Sequence, residues 1–431
     1  MKPADVTLLV LSGGKSTRFW PLPHKMIMRV GEKTFLERQL EALQAHNFGR
    51  VILVVNEEIS GRISGDKLEV VVQKGKGQAA AILSAREKIT NGPLLIVNAD
   101  DVVAPQLYGD IVAAANARTN ILTGYQTEDY FPGGYLIVHD KKVAQIVEKP
   151  KPGQEPSNYV RLVCDFFGDS TLLLAALDKH VGKFADDQYE SALSWMMNNG
   201  NEFELFEYNN TWIPVKYPWH LLNLMDYYLG QIKKTVHPTS TRIHKSASIV
   251  GPVVFGTSVR VMEYAKIVGP CYIGDGAIIG NHTMVRQSMI GDNTVIGFGS
   301  DVTRSYIGAN TWLHSNYVGD SVLADNVALG AGSVLANLRL DEGNIASIVN
   351  NVKVSTLRDK LGAIIGEGAR IGVESNLMPG VKVGANSVVG PSVVLFEDIA
   401  DNTRVFVKQS FVVEDNHLSN IHDRDKFRQK I

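Results

Sequence analysis

The second half of the chain carries a short repeat that restricts the fold more than any other feature. From Ile249 onward an aliphatic residue followed by glycine recurs, and several intervals are six residues, as from Gly274 to Gly280 or from Gly384 to Gly390. A flat face of a coiled chain needs an inward aliphatic residue every six residues and a small residue where the corner turns. The repeat therefore predicts a solenoid of parallel strands with an internal stack of Val, Ile and Leu.

This pattern resembles the left-handed parallel β-helix of the hexapeptide-repeat proteins. We expect the β-helix to span 236–410 and to be followed by a charged tail or helix over 411–431. The clearest break in the repeat runs from Ala336 to Ala363. The resemblance implies that this insertion covers a binding site at the cleft between neighbouring subunits.

Residues 1–235 have a different organisation, in which short β-branched runs alternate with helical patterns. Strands are predicted at 51–55, 68–72, 94–98 and 120–125, and helices at 35–47 and 77–89. Such alternation predicts a Rossmann-like α/β domain with a mostly parallel sheet and helices on both faces. Ligands of such sheets bind beyond the carboxyl ends of the strands.

The first of these strand ends carries a glycine-rich turn. An apolar run ends at Leu11 and is followed by Gly13-Gly14, Arg18 and Lys25. A glycine turn after a strand lets backbone N–H groups and cationic side chains close on phosphates. Taken alone, the same residues would also suit an ordinary strand–helix turn with solvated charges.

The whole string from Leu8 to Gly31 resembles the signature of the sugar-1-phosphate nucleotidyltransferases. The matching residues are Gly13, Gly14, Thr17, Arg18, Pro21, Leu22, Lys25, Val30 and Gly31, while His24 stands where that family usually has proline. The resemblance implies that Leu11, Gly13 and Gly14 contact a nucleotide. It also implies that Arg18 and Lys25 stabilise charge on the phosphates during transfer.

Further motifs follow in the order found in that family. The resemblance implies nucleotide contacts from Gln73 and Gly77, a Mg²⁺ ligand at Asp100, and sugar-phosphate contacts from Gly134, Glu148 and Lys149. A carboxylate at a strand tip is a usual way to hold Mg²⁺ against substrate phosphates. For Gln73 a polar residue at an exposed strand end remains the alternative, and for Asp100 or Asp101 a helix cap.

Two departures affect the same region. Leu162 lies in the segment where the family has a sugar-binding asparagine, and Pro214 stands where the family has a second metal-ligating carboxylate. The side chain of proline cannot bind a cation. Lys216 replaces a family glycine, and its ammonium would fill the space of the missing ion as a fixed positive charge. A substitute ligand from Asp165 or Asn210 is the alternative.

A second string, from Trp312 to Arg339, resembles the acetyltransferase half of the bifunctional glucosamine-1-phosphate acetyltransferase/N-acetylglucosamine-1-phosphate uridylyltransferases, and more closely their archaeal-type relatives. The resemblance implies that His314 is a general base for the sugar amine, a task that suits a neutral imidazole. It assigns orientation of the amino sugar to Tyr317 and Asn337, and phosphate binding to Lys360 and Arg286. For His314 a solvent-facing position on the solenoid is the alternative.

Two residues of this second site depart from the family. Thr303 stands in place of a lysine, with Arg304 as an adjacent substitute, and Ala328 stands in place of an asparagine.

Charge and cysteine content exclude several classes of partner. Lys and Arg number 43 against 45 Asp and Glu, so the formal net charge is −2. This balance argues against nucleic acid and anionic membranes as partners, and no apolar run reaches membrane-spanning length. The two cysteines, Cys164 and Cys271, lie in different halves and suit a reducing cytoplasm better than a disulfide framework.

We therefore expect a two-domain enzyme of nucleotide-sugar synthesis that uses a nucleoside triphosphate, a sugar 1-phosphate, Mg²⁺ and acetyl-CoA. The resemblance to β-helix acyltransferases also implies a homotrimer. Two alternatives remain open at this point. One is a glucose- or mannose-1-phosphate nucleotidyltransferase whose β-helix is structural, and the other is a non-catalytic paralogue that binds sugar nucleotides.

Overall fold

A computed structural model describes residues 1–63, 68–128, 130–180, 187–417, 426 and 428–430. Residues 418–425, 427 and 431 of the predicted tail therefore lie outside the described residues. In the described ranges, none of the helices combines the length and the apolar character needed to cross a bilayer.

The N-terminal part, residues 1–235, contains a central sheet with helices on both faces. Its strands are β1 Thr7–Ser12, β2 Arg29–Val30, β3 Lys33–Thr34, β4 Arg50–Val55, β5 Leu68–Val72, β6 Leu94–Asn98, β7 Asp101–Val103, β8 Asn120–Gln126, β9 Gly134–His139, β10 Lys142–Glu148, β11 Tyr159–Phe167, β12 Glu204–Tyr208 and β13 Trp212–Pro214. Its α-helices are α1 Phe35–Gln44, α2 Glu57–Ser60, α3 Gly77–Ser84, α4 Gln106–Ala114, α5 Ser170–His180, α6 Gln188–Asn198 and α7 His220–Leu229.

The strand order of the main sheet, among the described residues, is β5-β4-β1-β6-β11-β8-β12-β10-β9. The first four strands are parallel, as the sequence predicts. From β11 onward the sheet is mixed, because β11 runs antiparallel to both β6 and β8 while β12 is parallel to β8. The glycine turn and Asp100 therefore both follow strands of the parallel half of the sheet.

Alternate side chains of β1 explain the helices on both faces. Leu8 and Val10 pack in one core cluster with α1, α4 and α7, whereas Leu9 and Leu11 pack in another with α3, α5 and α6. Helix α1 begins as predicted, since Thr34 accepts a hydrogen bond from the Glu37 backbone N–H at 3.3 Å and Glu37 bonds back to Thr34. The helix predicted over 77–89 is shorter than expected, because α3 ends at Ser84 and a 3₁₀ turn follows at Arg86–Lys88.

The repeat region forms three sheets of parallel strands, the arrangement expected of the left-handed β-helix. The first sheet contains Arg242–Ile243, Arg260–Val261, Ile278–Ile279, Val295–Ile296, Trp312–Leu313, Ala328–Leu329, Arg370–Ile371, Val388–Val389 and Arg404–Val405. The second contains Ser248–Val250, Lys266–Val268, Met284–Arg286, Asp301–Thr303, Tyr317–Gly319, Val334–Leu335, Asn376–Leu377 and Val394–Leu395. The third contains Val253–Phe255, Cys271–Ile273, Met289–Ile290, Tyr306–Ile307, Val322–Leu323, Ile364–Ile365 and Lys382–Val383.

The hexad pattern is visible as an internal column of aliphatic side chains. In the third sheet Ile273, Ile290, Ile307 and Leu323 are successive register partners, and each is almost completely buried. Gly274 shows why the corner residue is small, because a Cβ atom there would lie 2.7 Å from the backbone nitrogen of Asp292. The period of the sequence thus follows from one buried aliphatic residue per face and one tight corner.

The break in the repeat is an antiparallel hairpin, Ile345–Val349 paired with Val352–Arg358. We call residues 345–358 the inserted hairpin. Within the chain it packs on the N-terminal part, and its predicted position at a cleft between subunits stays a prediction. Ile345 and Val349 are buried in the cluster that contains Phe19 and Trp219, and Arg358 donates to Asn223 Oδ1 at 2.6 Å.

Candidate active site

A cavity of about 580 Å³ opens at the carboxyl ends of the parallel strands. Ten of the residues proposed from the sequence line it: Leu11, Gly14, Arg18, Lys25, Gln73, Gly77, Asp100, Gly134, Glu148 and Lys149. The fold therefore brings together residues that are distant in the sequence, as expected for strand ends of one sheet.

Gly13, although it is not a lining residue, is needed for the shape of the cavity. A Cβ atom at position 13 would lie 1.8 Å from Oε1 of Gln73. The Gln73 amide also donates to the backbone carbonyls of Gly75 and Gly77, at 3.2 and 3.1 Å. The glycine turn and the predicted base-reading glutamine are thus in direct contact, so a side chain at position 13 would displace the amide.

His24, the departure from the family signature, supports the glycine turn. Its Nδ1 accepts from the Met26 backbone N–H at 3.3 Å, so its Nε2 carries the proton and donates to the Gly14 carbonyl at 2.7 Å. The Asn56 amide donates to the same carbonyl at 3.1 Å. Burial lowers the pKa of His24, which favours this neutral form.

One end of the cavity concentrates positive charge around two carboxylates. Lys25 forms an ion pair with Asp100 and also donates to the Val215 carbonyl at 2.9 Å. An ammonium has three N–H donors, so one remains for a ligand. Lys216 and Arg18 line the same end of the cavity. This set of cations suits a polyanion.

The pKa values at this end reflect burial and close charges. Burial lowers the pKa of Lys216 from 10.5 to about 8, although Asp101 and Asp100 oppose the shift. Burial and the neighbouring Asp100 raise the pKa of Asp101 to about 6. Burial also opposes ionisation of Asp100, but Lys25 and Lys216 outweigh it, so the pKa of Asp100 is lowered. Lys216 is thus a buried cation held close to others, a state that a bound anion relieves.

Another part of the cavity is lined by Gly134, Glu148, Lys149 and two residues that the motifs did not indicate, Arg161 and Glu190. Arg161 is buried and its Nη1 donates to Glu190 Oε1 at 2.7 Å. Carboxylates and a guanidinium offer the paired acceptors and donors that recognise sugar hydroxyls or a phosphate. This part of the cavity therefore has the chemistry expected of a sugar-phosphate subsite.

The departures noted in the sequence have clear structural positions. Leu162 is buried in β11 and does not line the cavity, whereas its neighbour Val163 does. Asp165 is fully buried and accepts from Arg161 and from the Tyr189 hydroxyl, so it does not replace the absent carboxylate.

Pro214 lies in β13, opposite Asp101 in the short two-stranded sheet. The residue two positions later in the chain, Lys216, lines the cavity and lies near both carboxylates. The ammonium is thus close to Asp100, the predicted metal ligand, and to Asp101.

The donor set limits how a magnesium ion could be held. The described residues contain no group of three or more His, Cys, Asp or Glu that could hold a metal ion. Asp101 Oδ1 already accepts from Trp212 Nε1 at 2.8 Å, and Asp100 faces Lys25. The site does not fit a resident ion held by protein alone. It fits a Mg²⁺ ion that arrives on a triphosphate and takes Asp100 as one oxygen ligand.

A second cluster lies on the second sheet of the β-helix. The Tyr317 hydroxyl donates to Asn337 Oδ1 at 3.3 Å, and the Asn337 amide donates to the buried Asp320. Arg304, the substitute suggested by the sequence, forms two hydrogen bonds of 2.7 Å with Asp320. The predicted sugar-orienting pair is thus in contact and is held by a charge-assisted network.

The remaining predicted residues of this second site surround the pair less closely. Lys360 is placed beside Asn337 by the backbone, since the Leu361 N–H donates to the Asn337 carbonyl at 3.0 Å. Arg286 lies two coils away, at the register position of Gly319, and pairs with Asp301 at 3.0 Å. His314 is exposed on the coil that carries Tyr317, with its ring 6.4 Å from that of Trp312.

The predictions from the sequence omitted three residues that line the cavity, Arg161, Glu190 and Asn350. Only the first of them has a recognisable signal in the sequence. A charged residue inside the apolar run of β11, with Asp165 four residues later, is an available signal for Arg161. Glu190 and Asn350 gave no such signal, because each reaches the cavity only through tertiary packing.

Comparison with protein families then decides the class of the N-terminal part. The model of the MobA-like NTP transferase domain matches residues 8–231, which is more than half of the chain. The chain belongs to the MobA-like NTP transferase family. The matched range contains every described residue that lines the main cavity, with the exception of Asn350.

Beyond the MobA-like domain, residues 252–287 and 362–397 match the bacterial transferase hexapeptide repeat. Three curated relatives are similar over nearly the whole chain. A "Bifunctional protein GlmU" of Methanococcus vannielii is 27% identical over 94% of this chain and 99% of its own length. One of Methanococcus maripaludis strain C7 is 29% identical over 94% and 98%. A "Bifunctional sugar-1-phosphate nucleotidylyltransferase/acetyltransferase" of Sulfurisphaera tokodaii is 26% identical over 90% and 97%.

Proposed function

We propose that the protein is a bifunctional enzyme of UDP-N-acetylglucosamine synthesis. Its N-terminal part transfers a nucleotidyl group from a nucleoside triphosphate to a sugar 1-phosphate, and its β-helix transfers acetyl from acetyl-CoA to glucosamine 1-phosphate. The observation that carries the first activity is that one cavity holds a cationic cluster, Arg18, Lys25 and Lys216, together with a second cluster, Glu148, Arg161 and Glu190. The names of the relatives that match nearly the whole chain support both activities.

In the first reaction an oxygen of the sugar 1-phosphate attacks the α-phosphorus, and the bond to the bridging oxygen breaks so that pyrophosphate leaves. Positioning and charge stabilisation dominate such transfers. Lys25 is held by Asp100 and Val215, which leaves one N–H donor for the ligand, and Arg18 lies close to this lysine cluster. Asp100 would hold a Mg²⁺ ion together with the triphosphate, and the ion would supply further charge neutralisation.

In the second reaction the amine of glucosamine 1-phosphate attacks the thioester carbonyl, CoA leaves as the thiol, and the amine loses a proton to His314. Tyr317 and Asn337 orient the sugar, while Lys360 and Arg286 bind its phosphate. The contacts among Tyr317, Asn337 and Asp320 support a preformed sugar subsite. Acetyl-CoA is the co-substrate of this site.

We also propose a homotrimer in the cytoplasm. An exposed aromatic column supports an assembly face, since the Tyr264 and His282 rings stack at 5.0 Å and Phe298 continues the column at 5.7 Å from His282. Tyr264 and Phe298 are more than 60% exposed in the single chain, and adjacent exposed apolar groups of this kind mark interfaces. Cys164 and Cys271, both buried and unpaired, support a reducing compartment.

Two parallel assays test the proposal. Release of pyrophosphate is followed with Mg²⁺, UTP and N-acetylglucosamine 1-phosphate, and release of CoA thiol is followed with acetyl-CoA and glucosamine 1-phosphate. We expect both signals, loss of the first in Arg18→Ala and loss of the second in His314→Ala. His237→Ala is the matched control for the second site, because it removes an exposed histidine that lies outside the aromatic column.

The two assays distinguish the ways in which the proposed function could fail. Thiol release without pyrophosphate, for all triphosphates tried, would mean that the substitution by Pro214 has silenced the first site. Pyrophosphate without thiol would leave the β-helix a structural element, the monofunctional alternative. Binding of sugar nucleotides without either product would indicate a non-catalytic paralogue.

A further inference from the structure

The inserted hairpin places one residue of the β-helix in the main cavity. Among the described residues that line this cavity, Asn350 alone comes from the sequence beyond residue 235. It lies there together with Gly14, Thr17 and Arg18, the residues of the glycine turn. A smaller cavity of about 400 Å³ adjoins the main one and shares Thr17, Arg18 and Asn350 with it. The hairpin tip and the glycine turn thus form one continuous wall.

The tip of the hairpin is conformationally defined. Asn350 and Asn351 form the two-residue turn between the strands, with φ values of 48° and 63°. Two successive residues with positive φ are the mark of a type I′ turn, which asparagine favours and which matches the twist of the flanking strands. The Asn350 amide is therefore presented by a tight turn rather than by a long loop.

The strand that leads into the turn of the hairpin is fixed by a buried lysine. Lys382 of the β-helix is 1% exposed, and its ammonium donates to the Ile348 carbonyl and to Ser347 Oγ and pairs with Asp398 at 3.0 Å. The same ammonium lies 5.3 Å from the ring centroid of Trp20, within the range of a cation–π contact. Trp20 belongs to the segment that follows the glycine turn.

Trp20 in turn is held by the β-helix, since its Nε1 donates to Asp401 Oδ1 at 2.9 Å. The glycine turn and the hairpin are thus both attached to the last coils of the solenoid. This double attachment fixes the distance between Arg18 and the tip of the hairpin. The position of Asn350 in the cavity is a property of the whole chain and not of the N-terminal part alone.

We propose that Asn350 is a phosphate-binding residue of the nucleotidyltransferase site, and that the β-helix thereby completes this site in the same chain. The inference rests on the proposed first activity. A carboxamide carries two N–H donors and no charge, and its neighbours at the cavity wall are the glycine turn and Arg18. The ligand group that this wall accepts is the β- and γ-phosphate end of a nucleoside triphosphate, which leaves as pyrophosphate.

The test compares three full-length variants of the hairpin tip. Asn350→Gly removes the amide and keeps the positive φ, Asn350→Asp keeps the turn but places a carboxylate at the wall, and Asn351→Gly is the matched control at the other turn position. Glycine and aspartate both tolerate this conformation. The readouts are KM and kcat for UTP with pyrophosphate as product, the Kd of UTP without sugar phosphate, and thiol release at the second site.

We expect Asn350→Gly to raise KM and Kd for UTP by about tenfold, the effect of losing a hydrogen bond to a charged group. Asn350→Asp should weaken binding further, and Asn351→Gly should stay within about twofold of the wild type. Thiol release should be unchanged in all three. The relative affinity of the two Asn350 variants for UTP is decisive. If Asn350 only shaped the turn, Asn350→Asp would be the milder substitution and would bind UTP better than Asn350→Gly.

The results that overturn the inference are separate from failure of the proposed function. An active wild type whose Asn350→Gly and Asn351→Gly variants share one KM for UTP would overturn the role of Asn350 and leave the activity in place. Asn350→Asp that binds UTP at least as well as Asn350→Gly would do the same. A wild type that neither turns over nor binds UTP would overturn both.

Discussion

Triphosphate binding should be coupled to proton uptake by Lys216. Burial holds the pKa of this lysine at about 8 instead of 10.5 while it shares the cavity end with Lys25 and Arg18. The difference corresponds to about 3 kcal/mol against the charged form. A bound triphosphate brings several negative charges to the ammonium and returns its pKa toward the ordinary value. Because the bound state holds more protons than the free state, affinity falls as the pH rises above 8.

The size of the effect follows from this pKa. At pH 8.5 a lysine with a pKa of about 8 is about one quarter protonated, so saturation with UTP should take up about 0.75 of a proton per chain. At pH 7 the lysine is already about nine-tenths protonated, and the uptake should be only about 0.1. The uptake must therefore grow steeply between these two pH values.

Isothermal titration calorimetry measures this uptake directly. UTP is titrated in EDTA at both pH values, in two buffers of different ionisation enthalpy, and the slope of the observed enthalpy gives the protons bound. Lys216→Met should abolish the uptake at pH 8.5. Lys142→Met is the control, because Lys142 is an exposed partner of Glu202 and does not line the cavity. An enthalpy that is independent of buffer in the wild type, or uptake that survives in Lys216→Met, would refute the assignment.

Three further substitutions test separate contacts. Gly13→Ala should raise KM for UTP by at least about tenfold, since the new Cβ takes the place of the Gln73 amide and the loss of a paired contact costs about 1–3 kcal/mol. Steady-state kinetics checks this, and thermal unfolding should be unchanged. His314→Ala should lower thiol release about 10²- to 10⁴-fold while pyrophosphate release is kept, and equal loss of both activities would contradict its role. Arg161→Met leaves the fully buried Asp165 without its cation, so urea unfolding followed by tryptophan fluorescence should show a loss of about 3–5 kcal/mol. A variant as stable as the wild type would mean that Asp165 is protonated in the native protein.

The arrangement of the two sites suggests why the chain keeps both parts together. The segment after the glycine turn packs on the β-helix through Trp20, and the inserted hairpin reaches back to the N-terminal cavity. Removing the β-helix would therefore change one wall of the first site as well as delete the second. Any separate assay of the N-terminal part measures a cavity that lacks Asn350.

The sequence by itself determined the repeat fold and much of the first site. The aliphatic position of each hexad is the one that becomes buried, as at Ile273 and Ile290. It can be read from the sequence because the period of a solenoid depends only on one coil and its neighbour. The glycine turn and Asp100 were equally accessible, since parallel strands end at one edge and each motif directly follows its strand. The mixed half of the sheet and the early end of α3 were not, because antiparallel pairing and helix length depend on neighbours in the fold.

Only the tertiary structure decided which groups meet across long stretches of chain. Lys216 approaches Asp100 and Asp101 although more than a hundred residues separate them, and their shared burial sets the pKa values that a motif cannot give. The sequence does not indicate that Asn350 lines the cavity, because a pair of asparagines suits a hairpin turn regardless of where the hairpin packs. Its place in the cavity comes from the packing of Ile345 and Val349 on the N-terminal part and from the contact of Lys382 with Ile348, close to the turn. Local periodicity fixes the elements, whereas the electrostatics and the far wall of the site arise from contacts that exist only after the chain has folded.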